Sequence, residues 1–299
     1  MVVGTAPGRF DPMRVLVTGG GGQLATDLLQ VLAVHPQHTV AAPPRHSLDV
    51  ADRDAVRAAF GEVDPEVVFH TAAWTAVDAC ESDTDRAFSV NALGTRHVAE
   101  AARGNGAHVV YVSTDYVFDG RSERPYTEWD EPAPQSVYGR SKLAGEHELR
   151  DQLPGATIAR TAWVCGRHGT NIVKTVLRVA SSGAPLRFVD DQRGCPTFTD
   201  DLAGALYDLA AARRPGLYHV TNQGPTTWYR MARDIVAAAG GDPASVEPIR
   251  TDELDPPRPA PRPANSILDN AALRLSGMAL LADHHEPLER TVKALVADH

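Results

Sequence analysis

The chain has 299 residues, 43% hydrophobic and 22% charged, enough for one large or two closely packed domains with a substantial core. A net charge of −9 and an isoelectric point of about 5.7 argue against general nucleic-acid binding, which needs a basic face; an anionic ligand would be held by local Arg, Lys and backbone N–H groups. The cysteines Cys80, Cys165 and Cys195 are odd in number, widely separated and without metal spacing, which points to a reducing cytoplasm rather than a disulfide framework.

Residues 1–12 lack the charged start and apolar core of a signal peptide and read as a flexible extension. No apolar run approaches the ~18 residues that span a bilayer, so no membrane partner is expected. The fold is expected to begin at Met13, with a short apolar strand over residues 13–17. Gly19, Gly22, Gln23, Leu24 and Ala25 follow, and then the helical spacing of Leu24, Leu28, Leu29 and Leu32. Strand, glycine turn and helix in that order form the first half of a dinucleotide site. Gly19 permits the tight turn, Gly22 lets a pyrophosphate approach the backbone, and Ala25 lets helix and strand pack. The pyrophosphate would rest on the unpaired N–H groups of the helix N-terminus.

A second strand is expected over residues 39–42. NAD sites place an acid at the end of this strand to bind the ribose hydroxyls. Here Pro43, Pro44 and Arg45 stand there, and an arginine suits a 2′-phosphate, which points to NADPH, with NADH left open. Asp49 is a candidate cap for a helix over residues 52–60. A strand over 65–70 leads into Ala72, Ala73 and Trp74, and a long helix is expected over 80–102 with Asn91 inside it.

The strand at 108–113 delivers Thr114 and Asp115 at its C-terminal end, where open α/β sheets bind ligands. A polar loop over 122–134 precedes a helix over 136–150 that carries Tyr138 and Lys142. Four residues apart, these two project from one face. A free tyrosine titrates near ~10, and a neighbouring ammonium lowers that value, so the pair suits proton transfer in a carbonyl–alcohol interconversion. The Thr114 hydroxyl is placed to hold the same carbonyl oxygen, and Asp115 to order the loop. Glu146 and Glu148 are expected to face solvent. Strands alternating with helices this far predict a doubly wound parallel sheet.

The stretch from Ser113 to Gly120, STDYVFDG, together with YGRSKLAGE from Tyr138 to Glu146, resembles the dTDP-4-dehydrorhamnose reductases of the extended short-chain dehydrogenase/reductase family. The resemblance runs from about Met13 to the C-terminus. It implies an α/β fold: a Rossmann-type domain over 13–160 and a smaller, mainly substrate-binding domain over 161–299, with a chain that can cross back. It implies that Asp49 and Val50 lie by the adenine, that Ala72 and Ala73 run under the cofactor, and that Asn91 supports the active-site backbone. Lys142 would bind the nicotinamide ribose as well as lower the Tyr138 pKa. Asp115, Trp163, Asn171 and Gln192 fall on the substrate side, and Arg262 would face the substrate diphosphate. The family usually has an aromatic where this chain has Cys165, which reads as a small core residue.

The implied activity is NADPH-dependent reduction of the 4-keto group of a dTDP-4-dehydro-6-deoxyhexose, foremost dTDP-4-dehydro-L-rhamnose to dTDP-L-rhamnose. Two alternatives stand beside it: reduction of another dTDP-4-keto-6-deoxy sugar in secondary metabolism, and a non-catalytic, dinucleotide-binding regulatory subunit of the methionine adenosyltransferase type. The expected partner is a dTDP-sugar, and the protein itself a cytoplasmic monomer or homodimer. No metal site is assigned. A divalent metal such as Mg²⁺ stays open, because Asp200, Asp201 and Glu289 lie near places where relatives bind one.

Overall fold

A computed structural model describes residues 11–298, so residues 1–10 of the expected extension lie outside the described residues. In chain order, β1 (Arg14–Thr18), α1 (Gln23–Ala33), β2 (Thr39–Ala41), α2 (Arg53–Val63) and β3 (Val67–His70) come first. Next are α3 (Val77–Ser82), α4 (Thr84–Phe88), a π-helical turn (Ser89–Leu93), α5 (Gly94–Asn105), β4 (His108–Thr114), a 3-10 turn (Asp115–Val117), α6 (Val137–Gln152) and β5 (Thr157–Thr161). The remainder comprises β6 (Val164–Cys165), α7 (Ile172–Ser182), β7 (Leu186–Val189), β8 (Arg193–Gly194), β9 (Thr197–Phe198), α8 (Thr199–Ala211), β10 (Gly216–His219), β11 (Thr226–Thr227), α9 (Trp228–Ala238), β12 (Val246–Ile249), α10 (Ala271–Leu275) and α11 (His285–Ala297).

The central strands are near-continuous apolar runs because helices cover both their faces. They form a six-stranded sheet in the order β10-β5-β4-β3-β1-β2, each neighbour parallel. The chain winds outward from β1 to β2, then restarts on the other side of β1 with β3. That reversal opens a crevice beyond the C-terminal ends of β1 and β3, where Thr18 and His70 lie side by side. On one face, Leu24, Ala25, Leu28 and Leu32 of α1 pack with Leu202, Leu206 and Leu209 of α8. On the other, Val56 and Phe60 of α2, Val98 and Ala102 of α5 and Leu149 of α6 close the core. After residue 160 the chain therefore returns twice to this sheet, through α8 and β10. A second core joins α7, α9 and α11 through Val173, Met231, Ile235, Leu288 and Val292. No helix among the described residues is long and apolar enough to cross a membrane.

Three local expectations change. The long helix over 80–102 is broken into α3, α4, the π-turn and α5, because Asp83 caps a new start at Thr84 and Asn91 spends its side chain on tertiary bonds. Asp52, not Asp49, caps α2, accepting from Asp54 N and Ala55 N, while Asp49 accepts from Ala51 N. Glu146 does not face solvent: it is fully buried and pairs with Arg160 of β5 at 2.7 Å, and it also accepts from the Ser113 hydroxyl at 2.6 Å. Glu148 is half-buried against Arg96.

Candidate active site

The glycine turn after β1 does what its sequence suggested. Gly19 has φ +73°, and a Cβ there would meet Ala72 Cα at 2.9 Å, so only glycine allows the loops after β1 and β3 to touch. Gly22 is the N-cap of α1, with no side-chain cap and no acidic residue in the first turn. The N–H groups there are thus left for an anion. Gly19, Gly21, Gly22, Arg45, Asp49, Val50, Ala72 and Ala73 line one cavity of ≈ 320 Å³. Arg45 stands at its rim, mostly exposed, 3.5 Å from Asp49. This cradle fits a dinucleotide, and its cation fits an additional phosphate.

A larger cleft of ≈ 410 Å³ continues from Gly22, Gln23 and Leu24 past Thr114, Asp115, Tyr138 and Lys142 to Trp163 and Trp228. Tyr138 and Lys142 both reach it from α6, whose N-cap Ser136 accepts from Gly139 N. The helix is seated by close approach: a Cβ at Gly145 would strike Asn91 O and the Tyr111 hydroxyl. Asn91 completes the seat. Its Oδ1 accepts from Trp74 N at 2.8 Å, and its Nδ2 donates to Trp74 O and to Ser141 Oγ, which in turn donates to Tyr138 O. The π-turn that aims Asn91 thus ties the loop after β3 to the helix carrying the tyrosine.

Electrostatics in the cleft are set by burial. Lys142 Nζ donates to Val112 O at 2.8 Å and lies 4.1 Å from the centre of the Tyr111 ring. Desolvation lowers its pKa to about 7, against the opposing pull of Glu146. Desolvation also raises the Tyr138 pKa, with the Thr114 hydroxyl opposing it. The expected lowering of the tyrosine by Lys142 is therefore not found: the ammonium turns to Val112 O and the Tyr111 ring, loss of hydration prevails, and the phenol keeps its proton. Thr114 donates to Asp115 Oδ1 at 3.0 Å. Burial raises Asp115 to about 6, against the opposing pull of the Ser266 and Thr114 hydroxyls. His70, bonded to Thr18 and Thr95 beneath the crevice, is lowered to about 3 by burial and then by Lys142, so it is a neutral strut.

Of the residues assigned to the substrate side, Thr114, Asp115 and Trp163 line the cleft and three others do not. Asn171 caps α7, accepting from Val173 N and donating to Gly166 O. Gln192 is buried, donates to Thr251 and accepts from the Trp228 indole at 3.2 Å. Arg262 is turned onto Asp78 in a bidentate pair, with Nη2 2.7 Å from Asp78 Oδ2, beside a neighbouring cavity of ≈ 340 Å³ that also touches Tyr116. Its hydrogen bond holds the Asp78 carboxyl below the usual range. The guanidinium is thus already engaged, because α3 brings a carboxylate to it from 184 residues away in sequence. Two further residues, to which the sequence reading assigned no role, line the cleft. Trp228, first residue of α9, stacks on Trp163 at 3.6 Å and 7°, and Tyr116 packs edge-on against Tyr138 at 5.4 Å. Tyr116 lies inside the STDYVFDG motif; Trp228 is joined to the site only by tertiary packing.

The RmlD substrate binding domain model matches residues 13–297. The chain belongs to that family. It is 42% identical to a dTDP-4-dehydrorhamnose reductase of Streptomyces griseus, covering 94% of each chain. It is 41% identical to a probable dTDP-4,6-dihydroxy-2-methyloxan-3-one 4-ketoreductase of Streptomyces antibioticus, over 96% of this chain and 97% of that one. Its fold is similar to that of a Bacillus anthracis dTDP-4-dehydrorhamnose reductase solved in complex with NADP, at TM-score 0.90 and 35% identity, covering 95% of this chain and 99% of the other. Family and Rossmann-type fold therefore agree with the crevice geometry.

Proposed function

We propose that the protein is an NADPH-dependent reductase acting on the 4-keto group of a dTDP-4-dehydro-6-deoxyhexose, foremost converting dTDP-4-dehydro-L-rhamnose to dTDP-L-rhamnose. The observation that carries this is one continuous cleft in which Thr114, Tyr138 and Lys142 adjoin the glycine turn at Gly22 and the Trp163–Trp228 stack. When bound, the nicotinamide supplies the hydride. The rest is done by the chain. Tyr138, kept protonated by burial, gives its proton to the carbonyl oxygen, and a protonated phenol is the state that reduction requires. Thr114 orients that oxygen. Lys142 holds the cofactor ribose and, when cationic, eases proton loss from Tyr138. Gly22, Gln23 and Leu24 receive the pyrophosphate on the α1 N-terminus, Arg45 the 2′-phosphate, Asp49 and Val50 the adenine, and Ala72 and Ala73 leave room beneath it.

On the substrate side, Asp115 holds the Thr114 hydroxyl and lines the wall that meets the sugar, and Trp163 covers the ring. Asn171 and Gln192 act indirectly, by fixing the loop before α7 and the Trp228 indole. Arg262 meets the diphosphate where the two cavities adjoin at Tyr116, exchanging part of its pairing with Asp78.

A second reading, another dTDP-4-keto sugar as substrate, is favoured by the relatives of near-equal identity whose names differ in the sugar. The regulatory-subunit alternative is disfavoured by the intact Thr114, Tyr138 and Lys142. The test is NMR of the product after incubation with NADPH and separately prepared dTDP-4-keto-6-deoxyhexoses. A reduced hydroxyl at carbon 4 of the rhamnose precursor is expected. Turnover of a different sugar alone would move the assignment to the second reading, and no turnover at all would overturn it.

A further inference from the structure

Three side chains outside the cleft converge at the start of α11. His284 is the N-cap residue of that helix, His285 its first residue, and Asp234 projects from the neighbouring α9. One ligand atom from each can be chosen so that all lie within 4.8 Å of one another. The protonation pattern makes the arrangement directional. His285 Nδ1 lies 2.6 Å from Asp283 Oδ1, and an ionised carboxylate only accepts, so Nδ1 carries the hydrogen. In the neutral ring Nε2 is then the lone pair, and it lies 3.6 Å from Asp234 Oδ2, too far for a hydrogen bond. His284 Nδ1 lies 3.2 Å from the carbonyl of Gln223, again an acceptor, which fixes the same tautomer. His284 Nε2 is buried and has no hydrogen-bond partner among the described residues. The two rings face each other at 4.1 Å.

The donorless buried nitrogen of His284 thus belongs to a group whose other two members, His285 and Asp234, reach the surface. A buried acceptor without a donor is unfavourable, and a cation held by the three residues would satisfy it. We propose that Asp234, His284 and His285 bind one divalent transition-metal ion of the zinc class. Nitrogen and oxygen donors in this ratio suit Zn²⁺, Co²⁺ or Ni²⁺, whereas Mg²⁺ and Ca²⁺ take oxygen ligands. Asp283 and the Gln223 carbonyl serve as the outer partners that orient the two imidazoles. The exposed flank of His285 leaves the fourth position to water.

The acids considered from the sequence are otherwise engaged: Arg290 holds Asp200 and Asp201, and Lys293 pairs with Glu289. The site would staple the start of α11 to α9, the helix whose first residue is Trp228. Asp234 is six residues along it, or about 9 Å of helix rise.

The test is calorimetric titration of Zn²⁺ into the untagged, chelator-treated full chain, with Mg²⁺ as control and thermal unfolding read alongside. One Zn²⁺ per chain is expected, with a rise in Tm that depends on its concentration and no response to Mg²⁺. His285→Ala and the surface variant Asp234→Asn should each weaken binding on the order of a hundredfold, and Asp283→Asn about tenfold. Cobalt added in place of zinc should give the visible absorption of a four-coordinate nitrogen–oxygen site in the parent and lose it in Asp234→Asn. Equal Zn²⁺ affinity in the parent, Asp234→Asn and His285→Ala would overturn the proposal, as would an equal Tm response to Mg²⁺ or no stoichiometric binding by the parent.

Discussion

The two ends of the cleft are built by different means. The cofactor end is mostly backbone and small side chains: the φ +73° turn at Gly19, the uncapped start of α1 at Gly22, and Ala72 packed against the turn. The substrate end is made of side chains held by other side chains: Trp163 by Trp228, Trp228 by Gln192, Arg262 by Asp78. A backbone-built site tolerates change in its neighbours. A site built from paired side chains is adjustable, so the substrate specificity of such a fold can shift without disturbing its dinucleotide grip.

The comparison is broken most decisively at the boundary between the ends. Tyr138→Phe should lower kcat by about 10²–10⁴-fold while NADPH affinity, measured by titration, stays within about twofold, since the ring still packs and only the proton is lost. Comparable loss of NADPH binding would show that the two ends are not separable. The next largest effect is on the support shared by both. Glu146→Ala leaves the buried Arg160 guanidinium without its carboxylate and should cost about 3–5 kcal/mol in urea unfolding. A loss under about 1 kcal/mol would mean that water reaches the pair.

Two predictions sharpen the cofactor end. Arg45→Ala should lower the NADPH/NADH ratio of specificity constants roughly tenfold, the low end for a charge-assisted contact because the side chain is largely exposed. An unchanged ratio would reduce Arg45 to a surface residue. The second concerns pH. With the Lys142 pKa lowered to about 7, its cationic fraction falls as pH rises through neutrality, so NADPH affinity should fall from pH 6 to 8. Tyr138 is shifted upward and stays protonated across that window, whereas Asp115, raised to about 6, ionises at its lower edge, so the decline between pH 7 and 8 belongs to the lysine. In Lys142→Met, affinity should be low and flat with pH; a persisting slope would assign it elsewhere.

The smallest effect tests the substrate end. Asn171→Ala removes a helix cap and should cost about 1 kcal/mol of stability, with KM for the sugar nucleotide nearly unchanged. A large KM effect with unaltered stability would restore Asn171 as a direct ligand.

The cofactor end was legible in the sequence because its determinants are local: a glycine turn between a strand and a helix, an arginine after β2, two residues four apart on α6. The substrate end was legible only as residue types. Nothing in the segment around Arg262 shows that Asp78, 184 positions earlier, already occupies its guanidinium, and nothing around Trp228 shows that it meets Trp163. Glu146 lies on a helix of polar appearance, and its burial depends on an arginine supplied by β5. The direction of the Tyr138 shift was missed for a related reason: spacing reveals the neighbouring cation, while desolvation is a property of the whole packed cleft.

The central claim is that this cleft carries a hydride from the nicotinamide to carbon 4 of a dTDP-linked keto sugar while Tyr138 supplies the proton. It is tested most directly with NADPH deuterated at the transferable position, dTDP-4-dehydro-L-rhamnose as substrate, and NMR of the product. One deuterium at carbon 4 is predicted for the parent protein, with essentially none formed by Tyr138→Phe over the same interval. No deuterium at carbon 4 in the parent, or equal incorporation by Tyr138→Phe, would contradict the account.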